Sequence, residues 1–264
     1  MHEYRWGVDE YNKLASGTLA GHIIECGAQC TGGNYTRWYD IDDFINIGYP
    51  IVEVNENGDF NVTKSTESGG TINRYTVSEQ ILYEMGDPKK YISPDVCVDF
   101  TSFKLNDNNN NTVSISNVKG YKPTDTYKVS ISYFKGYKSS GQLTISGPNS
   151  IDKAKKISEI IWGRLRKTGC VYDETNTEFL GYNSCMKTLK QDYIGANEIV
   201  LRLSVKDNDF NKVEKFGKEI SPLITSGPPG VTGFSGGRPK PQEIIAYWPA
   251  LISKKFIKTK SRIL

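Results

Sequence analysis

The chain has 264 residues, 37% hydrophobic and 24% charged, enough for one large domain or two small ones with a real core. Its 33 basic and 30 acidic residues sum to +3, which excludes a dedicated polyanion binder. A mean hydropathy of −0.49, with no apolar run near ~18 residues, excludes a helical membrane span. The opening, Met1 to Trp6, lacks the basic-then-apolar plan of a signal peptide, so the sequence reads as cytoplasmic.

In chain order, residues 9–19 predict a short helix that stops before Gly21. His22 to Cys26 reads as a short buried strand running into a glycine-rich loop. Ile51–Val54 and Asp59–Thr63 flank Asn57-Gly58, a strong hairpin signal. Val77, Ile81, Leu82 and Met85 have helical spacing, with Thr76 and Glu79 placed as a capping box. Two strands, 98–105 and 112–118, flank the run Asn106 to Asn111. Residues 127–134 and 142–146 read as a strand pair turning across Gly136 to Gly141. Ser150 to Lys167 carries a helical apolar stripe; Ile199 to Val205 alternates as a strand; Phe210 to Ile220 is amphipathic and capped by Asp209. The pattern predicts an α+β fold: a mainly antiparallel or mixed sheet with helices packed on one face.

Charge is uneven. Residues 253–264 carry Lys254, Lys255, Lys258, Lys260 and Arg262 and no acid, leaving the body slightly acidic. This basic tail either meets an anionic surface or keeps the end solvated. The five cysteines are odd in number and form no CxxC pair, which argues for reduced thiols. With His2 and His22 the only histidines, no tetrahedral zinc set exists, and no metal or cofactor is expected.

Two segments could carry chemistry. In Gly21 to Asn34 a titratable trio, His22, Glu25 and Cys26, lies beside Gly27, Thr31, Gly32 and Gly33, whose amides could reach a ligand. On a strand, His22 and Cys26 would share one face and Glu25 the other. The alternative is that the glycines serve tight packing and Cys26 is buried filler. The second segment, Ser226 to Pro241, has five glycines and four prolines, a composition against helix and regular strand. Gly230, Gly233 and Gly237 give it a ligand-loop character, and Arg238 and Lys240 at its exit could hold a carboxylate or phosphate. A rigid structural crossing remains the other reading.

His22 to Gln29 with Thr31-Gly32-Gly33, Ile47 to Ile51, Tyr83 to Pro88, Pro94-Asp95-Val96, and Ser226 to Lys240 followed by Tyr247-Trp248-Pro249 resemble the acyclic terpene utilisation (AtuA-like) family. The resemblance implies a cytosolic protein of terpene catabolism, a route through acyl-CoA thioesters, with no reaction assigned to the family. It also implies a C-terminal part of the family domain over residues 1–252, while the residues themselves suggest a soft boundary near 119–126 and set off the basic tail at 253–264. In that view the family's N-terminal portion is absent, and so is the small ferredoxin-like domain that often follows the glycine/proline loop. Two functions follow as expectations. One is an enzyme-like protein acting on a small acid or acyl thioester, with both loops lining one pocket, Arg238 and Lys240 on the anionic group, and Glu25 or His22 in acid–base work. The other is a non-catalytic subunit that needs a partner chain or a homo-oligomer to complete the domain. Neither involves specific nucleic-acid binding.

Overall fold

The computed structural model describes residues 3–182, 184–185, 196–233 and 236–260. The chain divides into two compact units, residues 1–128 with 251–264, and residues 129–250. Among the described residues, no helix is long and apolar enough to cross a membrane. The fold is α+β, and every strand pair whose register is defined runs antiparallel.

In the first unit, α1 (Tyr11–Glu25) is followed by β1 (Ile51–Val54), β2 (Phe60–Thr63), α2 (Arg74–Leu82), β3 (Tyr91–Ile92), β4 (Cys97–Asp99), β5 (Lys104–Asp107), β6 (Val113–Ser116) and β7 (Lys119–Tyr121). One sheet has the order β1-β2-β6-β5, a second β3-β4-β7. Leu14, Leu19 and Ile23 of α1 join Phe60, Val77, Val98 and Ile115 in one core. Close approach fixes the start of α1: a Cβ on Gly120 would meet the Tyr11 carbonyl oxygen at 1.9 Å, and the Gly120 N–H donates to Asn12 Oδ1 at 3.0 Å.

α1 corrects the first expectation. It runs through Gly21 to Glu25, so His22 to Cys26 is the end of a helix and not a strand. Nothing crowds Gly21, and Leu19, Ala20 and Ile23 continue the buried side begun by Leu14 and Ala15. The α2 cap is also shifted. Asn73 is the capping residue, accepting from Tyr75 N and Thr76 N, while Thr76 Oγ1 accepts from Asn73 N. Glu79 instead accepts from the Thr36 N–H at 3.0 Å. The asparagine run is the β5–β6 turn, with Asn109, Asn110 and Asn111 all at positive φ, which asparagine tolerates better than most residues.

The second unit is built on β8 (Thr126–Ser146), α3 (Ser150–Lys167), β9 (Glu174–Leu180), β10 (Glu198–Asp207), α4 (Phe210–Ile220), α5 (Leu223–Ser226), β11 (Val231–Thr232) and β12 (Gln242–Ser253). Its sheet order is β11-β8-β10-β9, with β12 also on β8. Ile199, Leu201, Leu203 and Val205, alternate residues of β10, share a core with Ile157 and Ile161 of α3 and Val213 and Phe216 of α4. The helices therefore cover one face of that sheet. Two expectations change here. Residues 127–146 form one strand and not a hairpin, because β10 pairs continuously with residues 137–146. The glycine/proline segment also contains a short strand, with Val231 and Thr232 paired to Ile145 and Thr144.

Candidate functional site

The first glycine segment closes the C-terminal end of α1. On a helix, His22, Glu25 and Cys26 stand at i, i+3 and i+4, on one side, where the strand reading had separated them. His22 is buried, its ring packed beside Tyr91 and Phe100. Its Nε2 lies 3.1 Å from the Ile81 carbonyl, which only accepts, so Nε2 carries the hydrogen. Nδ1 is buried without a hydrogen-bond partner and sits 3.7 Å from Glu25 Oε2. Neither ring nitrogen opens to solvent. Gln80 Nε2 donates to the His22 carbonyl at 2.9 Å, so His22 and Gln80 together tie α1 to α2. Cys26 is half-buried at the helix end; Cys30 is fully buried, and burial pushes its thiol up to about 12, so it stays protonated at neutral pH.

The amides of this loop are already used. Thr31 and Gly33 N–H donate to the Ala28 carbonyl at 3.2 and 2.8 Å, and Gly32 N–H donates to Gln29 at 3.1 Å. Thr31, wholly buried, also donates its hydroxyl to Gly48. Gly32 has φ +111° and lies so close to Ile41 that an added Cβ would stand 2.6 Å from the Ile41 Cδ1. At Gly27 the Tyr49 ring lies 3.1 Å from where a Cβ would be. These glycines pack against the protein itself.

The second segment belongs to the other unit. Gly230 is anchored to β8, its carbonyl accepting from Ser146 N at 2.9 Å and Oγ at 3.2 Å. Lys153 of α3 donates to Pro229, and the Arg164 guanidinium donates to Ser226 Oγ at 3.1 and 3.2 Å. Gly233 lies near Ile224, while Gly237 faces open space. Beyond it, Arg238, Pro239, Lys240 and Pro241 line a cleft of about 330 Å³ with Phe210, Glu214 and Lys218 of α4. Gly217 makes this possible: a Cβ there would meet the Pro239 carbonyl oxygen at 2.0 Å. The loop exit is therefore seated directly on the helix backbone.

Among the expected ligand residues, the cleft brings together Arg238 and Lys240. Glu25, His22 and the first glycine segment belong to the other unit. Phe210, Glu214, Lys218, Pro239 and Pro241 were not anticipated. The i, i+4, i+8 spacing of 210, 214 and 218 was the available signal, since it makes one row on α4. Lys218 is paired with Glu214 at 2.6 Å, whereas among the described residues Arg238 and Lys240 form no ion pair. Phe210 stands edge-on to Tyr137, ring centroids 5.3 Å apart. Two unspent cations beside an aromatic and proline wall suit an amphipathic anion. No group of three or more His, Cys, Asp or Glu side chains that could hold a metal occurs among the described residues.

The family described as "Acyclic terpene utilisation family protein AtuA" matches residues 1–263. No curated protein and no solved structure matches the chain significantly. The match takes in the opening residues and the basic end alike, so the expected restriction to a C-terminal part is not borne out, and the tail at 253–263 is not outside the match. On a match of this extent, the chain belongs to the acyclic terpene utilisation family.

Proposed function

We propose that the protein handles a small terpenoid acid or its acyl thioester in the cytosol, within acyclic terpene breakdown. The observation that carries this reading is the α4 cleft, where Arg238 and Lys240, in no ion pair among the described residues, present their charge beside Phe210, Pro239 and Pro241. The guanidinium and ammonium hold the carboxylate or phosphate, Arg238 with two parallel donors, and the apolar wall takes the isoprenoid chain. Membership of a terpene utilisation family supports this choice of substrate class. In this reading His22 positions α1 against α2, since both its nitrogens are buried.

Titration calorimetry with a panel of acyl-CoA thioesters and free terpenoid acids tests the reading. Binding is expected with a branched isoprenoid chain, and Arg238→Gln and Lys240→Gln are each expected to weaken it about tenfold, the loss of one charge-assisted contact. Absence of binding across both panels, or affinities unchanged in the double variant, would sink it.

A further inference from the structure

In the first unit, the loop between α1 and β1, with the first residue of β1, displays six large apolar side chains to solvent: Trp38, Tyr39, Phe44, Ile45, Tyr49 and Ile51. Trp38 is 64% exposed, Tyr49 72%, and Ile45 entirely. Trp38 and Tyr39 are adjacent, ring centroids 6.1 Å apart, and exposed aromatic and aliphatic groups gathered on one short segment mark an interaction surface.

The loop is held in place. Asn46 N–H donates to Asp43 Oδ1 at 3.0 Å, Asn46 Nδ2 to Glu67 O at 2.9 Å, and Gly69 N–H to Asn46 O at 2.9 Å. Ile47 forms a bridge with Gly69, and the Gly48 carbonyl accepts from Thr31. Aromatic groups on a fixed backbone lose little entropy on contact, which is the property of interface anchors. The rim is net acidic: Asp40 is paired with Arg37 at 2.6 Å, Lys64 lies on the turn that carries Glu67, and Asp42 and Asp43 remain as net negative charge.

The same unit carries the opposite pattern. After β12, Lys254 is anchored by donating its backbone N–H to Asp125 O at 3.0 Å and its Nζ to Pro94 O at 2.7 Å. That presents Lys255, Phe256, Ile257, Lys258 and Lys260 outward, with Phe256 79% exposed. Apolar side chains flanked by lysines complement an apolar loop flanked by carboxylates. Phe256 and the loop both stand open in one chain, so a chain's own tail does not cover its own loop.

We infer that the 37–51 loop docks the basic 254–260 segment of a second copy of this chain, each copy giving and receiving one tail. A reciprocal pairing closes at two copies, whereas a head-to-tail pairing of the same two surfaces would extend the assembly beyond a dimer.

Sedimentation velocity on the full chain, from about 1 µM to about 100 µM, tests this. A dimer is expected at low salt, weakened at about 1 M salt, where charges are screened beyond ~3 Å. Ile45→Glu and Phe256→Ser alter exposed side chains and should leave the melting temperature unchanged at concentrations where the chain is monomeric. Each is expected to raise the dissociation constant tenfold or more, about one hot-spot residue's worth. Asp42→Lys and Lys258→Asp should each weaken the dimer, and an equimolar mixture of the two should regain association, since both loop–tail contacts of the mixed dimer then pair opposite charges. A chain that stays monomeric at all concentrations overturns the inference. So does a dimer indifferent to Phe256→Ser, which would mean that the loop, if used, receives something other than the tail.

Discussion

At the scale of single residues, Gly217 carries more consequence than its size suggests. Pro239 rests on it, and Gly141 of β8 lies under the same segment, where a Cβ would meet Ile220 Cδ1 at 2.2 Å and Pro239 Cγ at 2.8 Å. Gly217→Ala forces the loop exit off α4. We expect a loss of about 1–3 kcal/mol in urea unfolding, the usual cost of overpacking, together with weaker ligand binding at the cleft. His22 makes the contrasting case. His22→Phe removes the donor to Ile81 O and leaves a buried carbonyl unpaired, at a cost of about 1–3 kcal/mol. Stability should fall in urea melts while calorimetric affinity at the cleft stays as in the parent protein. A parallel fall in affinity would return His22 to the site.

At the scale of elements, the sequence was most legible where local signals agreed. The α4 helix begins after Asp209, whose carboxylate accepts from Asn211 N and Lys212 N, and ends at Ile220, both readable from capping and periodicity. The β1–β2 hairpin follows from Asn57-Gly58 in the same way. Misreadings arose where pairing partners are distant in sequence. Gly136 and Gly141 look like turn residues, yet ten residues of β10 hold β8 straight from Tyr137 onward. His22 to Cys26 is short and apolar, a pattern that fits strand and helix equally, and only packing against α2 and β4 decides it. The cleft was half legible: Arg238 and Lys240 could be named as cations, but their neighbours depend on the Gly217–Pro239 approach, which no local pattern encodes.

The turn between β10 and α4 also sets a pH response. Asp207 is almost fully buried, and burial alone would raise its carboxyl; the Lys212 ammonium and the Asp209 N–H outweigh this and hold it below the ordinary carboxylate value. A depressed folded-state value contributes stability at neutral pH that is lost as pH falls through that value. Thermal melts from neutral pH down into the acid range should therefore show a fall that Asp207→Asn flattens. An identical pH profile in the variant would exclude this pair as the cause.

On the scale of the whole molecule, β8 and β12 are the two passages between units, so residues 129–250 are an insertion and the first unit is closed by residues 251–264. The anchoring of Lys254 at Asp125 and Pro94 is part of that closure. Deleting residues 251–264 should lower the melting temperature of the first unit while the second keeps its own transition, separable by calorimetry. A single unshifted transition would contradict it.

The same connectivity orders events during synthesis. The second unit is one unbroken stretch and can complete its core before the chain ends. The first unit's core residues all lie at or before Val118, so that core is translated whole before the inserted unit begins, and only the closing segment follows some 122 residues later. A chain carrying only residues 1–128 would then present a formed first core that lacks its closing segment. Protease resistance would arise in the order in which the two cores are translated, with the 251–264 segment docking last.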